Sequence, residues 1–300
     1  MTETDAEYAV LVGLDWADKK HDLQCLFVDE GKQQYLKIDS SPESLREWVV
    51  GIESRFPDKR IAVCLEQSRG PVAYALGCYG NVDLFPVNPA TLKNYRNAFS
   101  PSGAKDDPTD AKLLLELLVC HWDSLVKLTP DTEQTRELQL LCELRRKAVD
   151  QRSAVTNELI SALKSYYPQA LTLIGGDRHS EMACALLMKW PRFESVARAS
   201  AQTLRTFYYA HHCRSEKRIQ ERLELIASGC PLTEDPAIVK PMMLQVRQLV
   251  SQIRALNKSV GLYDQRVREL FADHPDAPIF KSFPGGGRTV VRASGGCVRH

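Results

Sequence analysis

An apolar run that ends abruptly on a carboxylate constrains this chain more than any other feature. In YAVLVGLDWADKKHDLQCL, residues 8–26, the apolar stretch Ala9 to Leu14 stops at Asp15. Turn-forming residues follow, and a second apolar stretch runs over 23–28. Short apolar runs bounded by turn signals read as buried strands, here a strand, a tight turn and a returning strand. A buried unpaired charge is costly, so Asp15 must reach water, a cation or a base at the sheet edge. An ordinary turn or solvent role accounts for Asp15 equally well at this point.

The rest of the first half builds a sheet around that hairpin. Residues 33–39 alternate enough for a third strand. Ser41-Pro42-Glu43 opens a helix, with a serine cap, proline at the first helical position and an acid in the first turn. The run 60–65 (RIAVCL) predicts a fourth strand and ends on Glu66, 72–79 a short helix, and 82–87 a fifth strand. Residues 90–99 read as polar helix or loop, and 100–105 as irregular. Hairpin-linked strands followed by alternating helix and strand describe an α/β fold whose mixed sheet has an antiparallel flank. Ligands of open α/β sheets gather beyond the strand ends, which is where Asp15 and Glu66 fall.

The segment KDDPTDAKLLLELLVC adds two more acids, Asp107 and Asp110. A helix start explains both, because aspartate caps well, proline suits the next position and a further acid favours the helix dipole. Residues three apart also share a helix face, so the pair could point together at Asp15 and Glu66. Asp106 competes with Asp107, since 106 and 110 share a face too. Four acids at one sheet edge repel one another unless divalent cations hold them. Hard oxygen donors suit Mg²⁺ or Mn²⁺. Two such ions about 4 Å apart can activate an attacking oxygen and stabilise the leaving one in phosphodiester chemistry.

Beyond residue 130 the pattern changes. Residues 132–166 and 237–271 carry apolar positions at three- and four-residue spacing, each long enough for about 50 Å of helix. Their length and polar outer faces predict an antiparallel coiled-coil arm. Shorter helices fill the interval. Arg145, Arg146, Lys147 and Arg152, then Arg214, Lys217, Arg218 and Arg222, are the local basic groups. Solvated helix faces or phosphate contacts both fit them.

Taken in order, GLDWADKKHD, CLEQSRG, the PVNP strand end and KDDPTDAKLL resemble the Asp-Glu-Asp-Asp motif of the DEDD insertion-sequence transposases of the IS110 type. These are RNA-guided recombinases with a RuvC-like N-terminal domain. The similarity continues through LKSYYPQAL and LLMKWPRFE to FKSFPGGG. It implies an RNase H/RuvC-like mixed sheet followed by a long helical coiled-coil region. The motif falls on Asp15, Glu66, Asp107 and Asp110 as catalytic, metal-holding residues for Mg²⁺ (or Mn²⁺). DNA and a guide RNA are the implied partners, with homo-oligomers, dimers or tetramers, formed through the coiled coil. The implied domains are 1–128 for the RuvC-like catalytic domain, 129–280 for the helical region, and 281–300 for the start of a C-terminal transposase domain. In the family a turn like Pro284-Gly285-Gly286-Gly287 opens a domain carrying a serine nucleophile. Residues 288–300 do not resemble that continuation, and Ser294 does not match the family serine. On this reading the chain is a truncated or frameshifted transposase, inactive for want of its nucleophile domain. A junction resolvase would share the acids without needing a long arm, and a non-catalytic nucleic-acid-binding remnant is the other alternative. Actin-like kinases need a glycine-rich phosphate loop after the first strand, and Trp16-Ala17-Asp18-Lys19 offers none.

Composition adds exclusions. A net charge of +1 advertises no global field for nucleic acid, so any basic surface is local. Nine scattered cysteines without a CxxC pair argue for reduced thiols and against structural zinc. The only metal-like local grouping, His211-His212-Cys213, has no second ligand pair nearby. The absence of an apolar span or signal pattern predicts a cytoplasmic protein with no membrane partner.

Overall fold

The computed structural model describes residues 7–66, 68–99, 107–129, 131–272, 274 and 277, without the side chains of 99 and 107–109. Asp106, Ser294, the turn 284–287 and the segment 281–300 lie outside the described residues. The chain divides into two compact units, residues 1–130 and 131–300.

The first unit is a mixed five-stranded sheet in the order β3-β2-β1-β4-β5. β1 (Tyr8–Asp15), β4 (Arg60–Leu65) and β5 (Val82–Pro86) are parallel, while β2 (Lys20–Phe27) and β3 (Lys32–Asp39) form an antiparallel flank. β2 starts three residues before the apolar run at 23 because Lys20, His21 and Asp22 complete the ladder opposite Asp39, Ile38 and Lys37. Pairing thus extends the strand through residues whose polarity reads as turn.

Period-two alternation sorts the central strands onto two faces. Val10, Val12 and Leu14 of β1, with Ile61, Val63 and Leu65 of β4, share one apolar cluster with α1 (Pro42–Arg55) and α2 (Pro71–Leu76). Ala62 and Cys64 join the other cluster, with Phe85, Leu92 of α3 (Pro89–Phe99) and Leu113, Leu114, Leu117 and Leu118 of α4 (Asp107–Cys120). The segment 90–99, read as helix or loop, is thus helical. The cap expected for α1 is present: the Ser41 hydroxyl accepts the Ser44 N–H at 3.1 Å, with Pro42 at the first helical position.

α4 lies very close to β1. A Cβ placed on Gly13 would lie 2.0 Å from the Ala111 carbonyl oxygen and 2.4 Å from the Leu115 nitrogen. Helix backbone therefore rests directly on strand backbone, which only a residue without a side chain allows.

In the second unit, α5 (Glu133–Tyr166) and α11 (Pro236–Ala272) are each about 50 Å long at 1.5 Å per residue. They run antiparallel. Gln134 donates to the Leu270 carbonyl at 2.9 Å, Arg266 pairs with Glu137 at 2.8 Å, and Arg152 donates to Asn257 at 2.9 Å. Between these, Arg145 is ion-paired with the buried Asp264. Short helices α6 (Ala170–Ile174), α7 (Glu181–Lys189), α8 (Phe193–Ala197), α9 (Ala201–Ala210) and α10 (Glu216–Ser228) pack around Tyr166, Tyr167, Trp190, Phe193 and Tyr208. Among the described residues no helix is long and apolar enough to cross a membrane.

Gly13→Ala is expected to force α4 off β1 and to cost at least about 2 kcal/mol of stability, the scale of overpacking a tight contact. Urea denaturation of the two proteins measures it, and a change below about 0.5 kcal/mol would mean the contact yields freely.

Candidate functional site

The register places the two strand-terminal acids side by side. Leu14 is paired with Leu65 in the parallel ladder, so Asp15 and Glu66 follow at the same level of adjacent strands. Asp15 continues the alternation of Leu11 and Gly13, and Glu66 that of Ala62 and Cys64. Both belong to the face that α4 covers, and both are half-buried.

The third acid arrives with the helix. Asp110 immediately precedes Ala111, whose carbonyl lies over Gly13, two residues before Asp15 on the same strand. Asp110 is 6 % exposed and forms an ion pair with Arg96 of α3. Asp107 begins α4, one turn earlier, and its side chain is outside the described residues. Among the described residues, no three His, Cys, Asp or Glu side chains form a metal-holding group. Asp15, Glu66 and Asp110 thus share a face, without a converged cluster among their described side chains. The donor set nevertheless fits a hard divalent cation in kind: carboxylate oxygens from two adjacent strand ends and the first turn of the covering helix.

A further acid at this edge carries no sequence signal of its own. Asp22 is directly opposite Asp15 in the antiparallel ladder, and Lys37 is opposite Asp22. Asp22 is 3 % exposed. The Lys37 ammonium lies 3.2 Å from its carboxylate, and the Tyr35 hydroxyl also donates to it. Like charges directly opposite are unfavourable, and these two partners offset the Asp22 charge. Finding Asp22 requires the register of three strands. Next to it, His21 is buried and its Nδ1 accepts the Ala17 N–H at 3.3 Å, bracing the turn that follows Asp15. Burial lowers the His21 pKa, which keeps the ring neutral and able to accept.

Another buried acid, Asp83 of β5, belongs near the opposite end of the sheet. It receives Arg60 through Nε at 2.6 Å and Nη2 at 2.5 Å, Lys127 at 2.7 Å and the Tyr8 hydroxyl at 2.9 Å. Burial alone would raise its pKa, but the bonds from Arg60, Lys127 and Tyr8 outweigh that and bring it to about 2. Its acceptor capacity is spent on the protein, which marks it as structural. Burial also pushes the Cys25 and Cys64 thiols up to about 12, so both are inert core residues.

In the helical unit several basic residues are internal. Arg145 is committed to Asp264 and Arg152 to Asn257. Arg222 is 7 % exposed, donates to the Cys213 sulfur at 3.3 Å and lies 4.6 Å from the Tyr208 ring centroid. Arg146, Lys147, Arg214, Lys217 and Arg218 are exposed. His211 stacks against Phe207 at 4.6 Å, and with Cys213 beside Arg222 the His211-His212-Cys213 grouping is part of a packed helix end.

Comparison with known proteins follows the same residues. A family model described as a transposase, of the IS110 DEDD type, matches residues 12–168, more than half of the chain. The mini-circle putative transposase for IS117 of Streptomyces coelicolor is 27 % identical over 288 residues, covering 93 % of this chain and 68 % of that protein. The putative transposase y4uE of Sinorhizobium fredii is 25 % identical over 205 residues, covering 67 % of this chain and 56 % of that protein.

Asp83→Asn is expected to destabilise the protein by about 3 kcal/mol at neutral pH, since it breaks a buried ion cluster. The folded pKa of about 2 is below the ordinary value of 3.8, so the contribution of the carboxylate is complete above pH 4. It disappears as pH falls toward 2, and the gap between parent and variant in urea denaturation should close over that window.

Proposed function

Since this chain belongs to the IS110-type DEDD transposase family, we propose that it acts on DNA through a divalent-metal site formed by Asp15, Glu66, Asp107 and Asp110. The observation that carries the reading is the shared level and face of Asp15 and Glu66, with Asp110 delivered to that face by α4. Order along the chain, strand end, strand end and helix start, is what an RNase H/RuvC-like domain over residues 1–128 requires. Bound Mg²⁺ or Mn²⁺ at such a site activates an attacking oxygen and stabilises the leaving one during strand cleavage and rejoining. The chain's own contribution is positional. β1 and β4 hold two carboxylates in fixed register, and the contact at Gly13 sets the depth of the helix bearing the others.

The helical region, residues 129–280, supplies partners on this reading. The antiparallel α5–α11 pair serves as a coiled-coil arm for assembly into dimers or tetramers. Its apolar positions Leu138, Leu141 and Leu144 are only half-buried against α11, and Leu140 is 47 % exposed, which leaves apolar surface for a second copy. Exposed Arg146, Lys147, Arg214, Lys217 and Arg218 are the phosphate contacts for DNA or guide RNA.

Calorimetric titration with Mn²⁺ tests the site. Asp15→Asn should weaken Mn²⁺ binding by more than about a hundredfold, beyond what losing a supporting group costs. In parallel, any nicking of end-labelled DNA in Mg²⁺, resolved on a denaturing gel, should be lost in both Asp15→Asn and Glu66→Gln. Equal Mn²⁺ binding by parent and Asp15→Asn would remove the metal site from the reading. For the arm, sedimentation at micromolar concentration should show a dimer or larger species, and a monomer would remove its assembly role.

A further inference from the structure

Charges on α7 and α9 are held in two different ways. Arg205 of α9 is ion-paired with Glu216, and Glu181 of α7 with Arg254. Lys189, the last residue of α7, is held by aromatic rings instead. Its ammonium lies 4.7 Å from the Trp190 ring centroid and 5.8 Å from that of Phe207. Both rings are buried and meet edge to face at 5.0 Å, which gives the ammonium a fixed floor. A ring attracts a cation through its quadrupole but carries no net charge. Those contacts therefore place Lys189 without neutralising it. The ammonium borders a cavity of about 380 Å³ whose other walls are Gln202, Thr203, Thr206, Phe207 and Ala210. These five fall on one side of α9 at helical spacing, and none of them is an acid. Gln202, Thr203 and Thr206 are exposed, so the cavity joins a placed positive charge to neutral hydrogen-bonding groups.

We propose that this cavity binds one phosphodiester of a nucleic-acid backbone, with Lys189 as the charge that meets it. The inference rests on the reading of this chain as a nucleic-acid-binding protein and adds a site to that reading. A carboxylate is matched best by the planar fork of an arginine. A phosphate oxygen takes a compact point charge flanked by neutral donors, which is the set that Lys189, Gln202 and the two threonines supply. Because the rings already hold the ammonium, little side-chain freedom is lost when phosphate arrives. Such a contact positions a strand and reads no base, so it serves DNA and RNA through the chemistry they share.

Titration of the full chain against a labelled DNA duplex and, separately, an RNA hairpin of equal length tests the site. Lys189→Gln should weaken binding of at least one of them about fivefold and make its salt dependence shallower by about one phosphate contact. Thr206→Glu, at an exposed helix position, puts an acid into the cavity and should weaken the same nucleic acid further. Lys258→Gln removes an equal charge from an exposed position of α11 and should bind as the parent does. The nucleic acid whose binding falls identifies the source of the phosphate, and a fall for both assigns the shared backbone. Acetylation of the parent by an N-hydroxysuccinimide ester, read by mass spectrometry, needs no variant to fold. Bound nucleic acid should protect Lys189 and leave Lys258 reactive. Parental affinity in Lys189→Gln, an equal loss in Lys258→Gln, or acetylation of Lys189 as fast with nucleic acid as without overturns the site. Equal protection by poly-glutamate overturns the assignment to phosphate. A parent that binds neither nucleic acid overturns the broader reading together with the site, whereas a binding parent matched by Lys189→Gln overturns the site alone.

Discussion

The contact of α4 with β1 at Gly13 is the constraint on which the first unit depends. A helix normally stands off a sheet by the height of its side chains, but here the Ala111 carbonyl and the Leu115 nitrogen meet the strand backbone itself. With no side chain at 13, the helix cannot slide along β1 without striking Leu11 or Asp15, its same-face neighbours. The contact therefore fixes the axial position of α4 as well as its depth. The first turn of the helix, with Asp110, is held near the strand ends where Asp15 and Glu66 stand. Leu113, Leu114, Leu117 and Leu118 then supply the apolar burial that holds the helix down.

Toward the opposite end of the sheet, a buried acid has another fate. Asp83 is as buried as any acid at the candidate site, yet two cations and a phenol saturate it. A carboxylate so satisfied has nothing left to offer a ligand, and moving any donor away would expose a costly charge. Asp22 is intermediate: Lys37 and Tyr35 neutralise it, but its place opposite Asp15 ties it to the functional edge. Burial of an acid therefore does not separate scaffold from chemistry. What sets Asp83 apart is that two cations and a phenol are committed to it.

This distinction sets what the sequence could reveal. The strands at 8–15 and 60–65 and the start of α1 were legible because each carries a local signal, an apolar run or a cap. Glu66 and Asp15 stood out because a carboxylate closing an apolar run is a local anomaly. Asp22 was not legible, since its meaning arises from two cross-strand partners that no spacing along the chain reveals. Asp83 alternates with apolar neighbours as any half-exposed strand residue would, and its burial follows from Arg60, Lys127 and Tyr8, far away in sequence. Segment 90–99 lacked a long apolar stripe, and Leu92 seals it as helix through packing. The proposed metal ligands follow from resemblance, and spacing alone leaves Asp106 and Asp107 as rivals.

The helical unit shows why a count of basic residues misjudges a binding surface. Arg222 sits between Ile219 and Ile226 at helical spacing, on the buried stripe of α10, so the period of the apolar residues already places it inside. Asp264 occupies the same kind of position on α11, between the buried Val260 and Val267, and the pairing of Arg145 follows from it. An acid on an apolar stripe requires a cation from the facing helix, and the observed register supplies Arg145. Such a buried pair adds little net stability, since desolvating both charges offsets their attraction, but it penalises slipped alignments that leave Asp264 without a cation. Charge invested in register is unavailable to phosphate, because a cation already paired with a carboxylate does not neutralise a phosphate and displace the counterions condensed there. Of the two basic clusters, Arg146, Lys147, Arg214, Lys217 and Arg218 are accordingly the members that fall off the apolar stripes and are exposed.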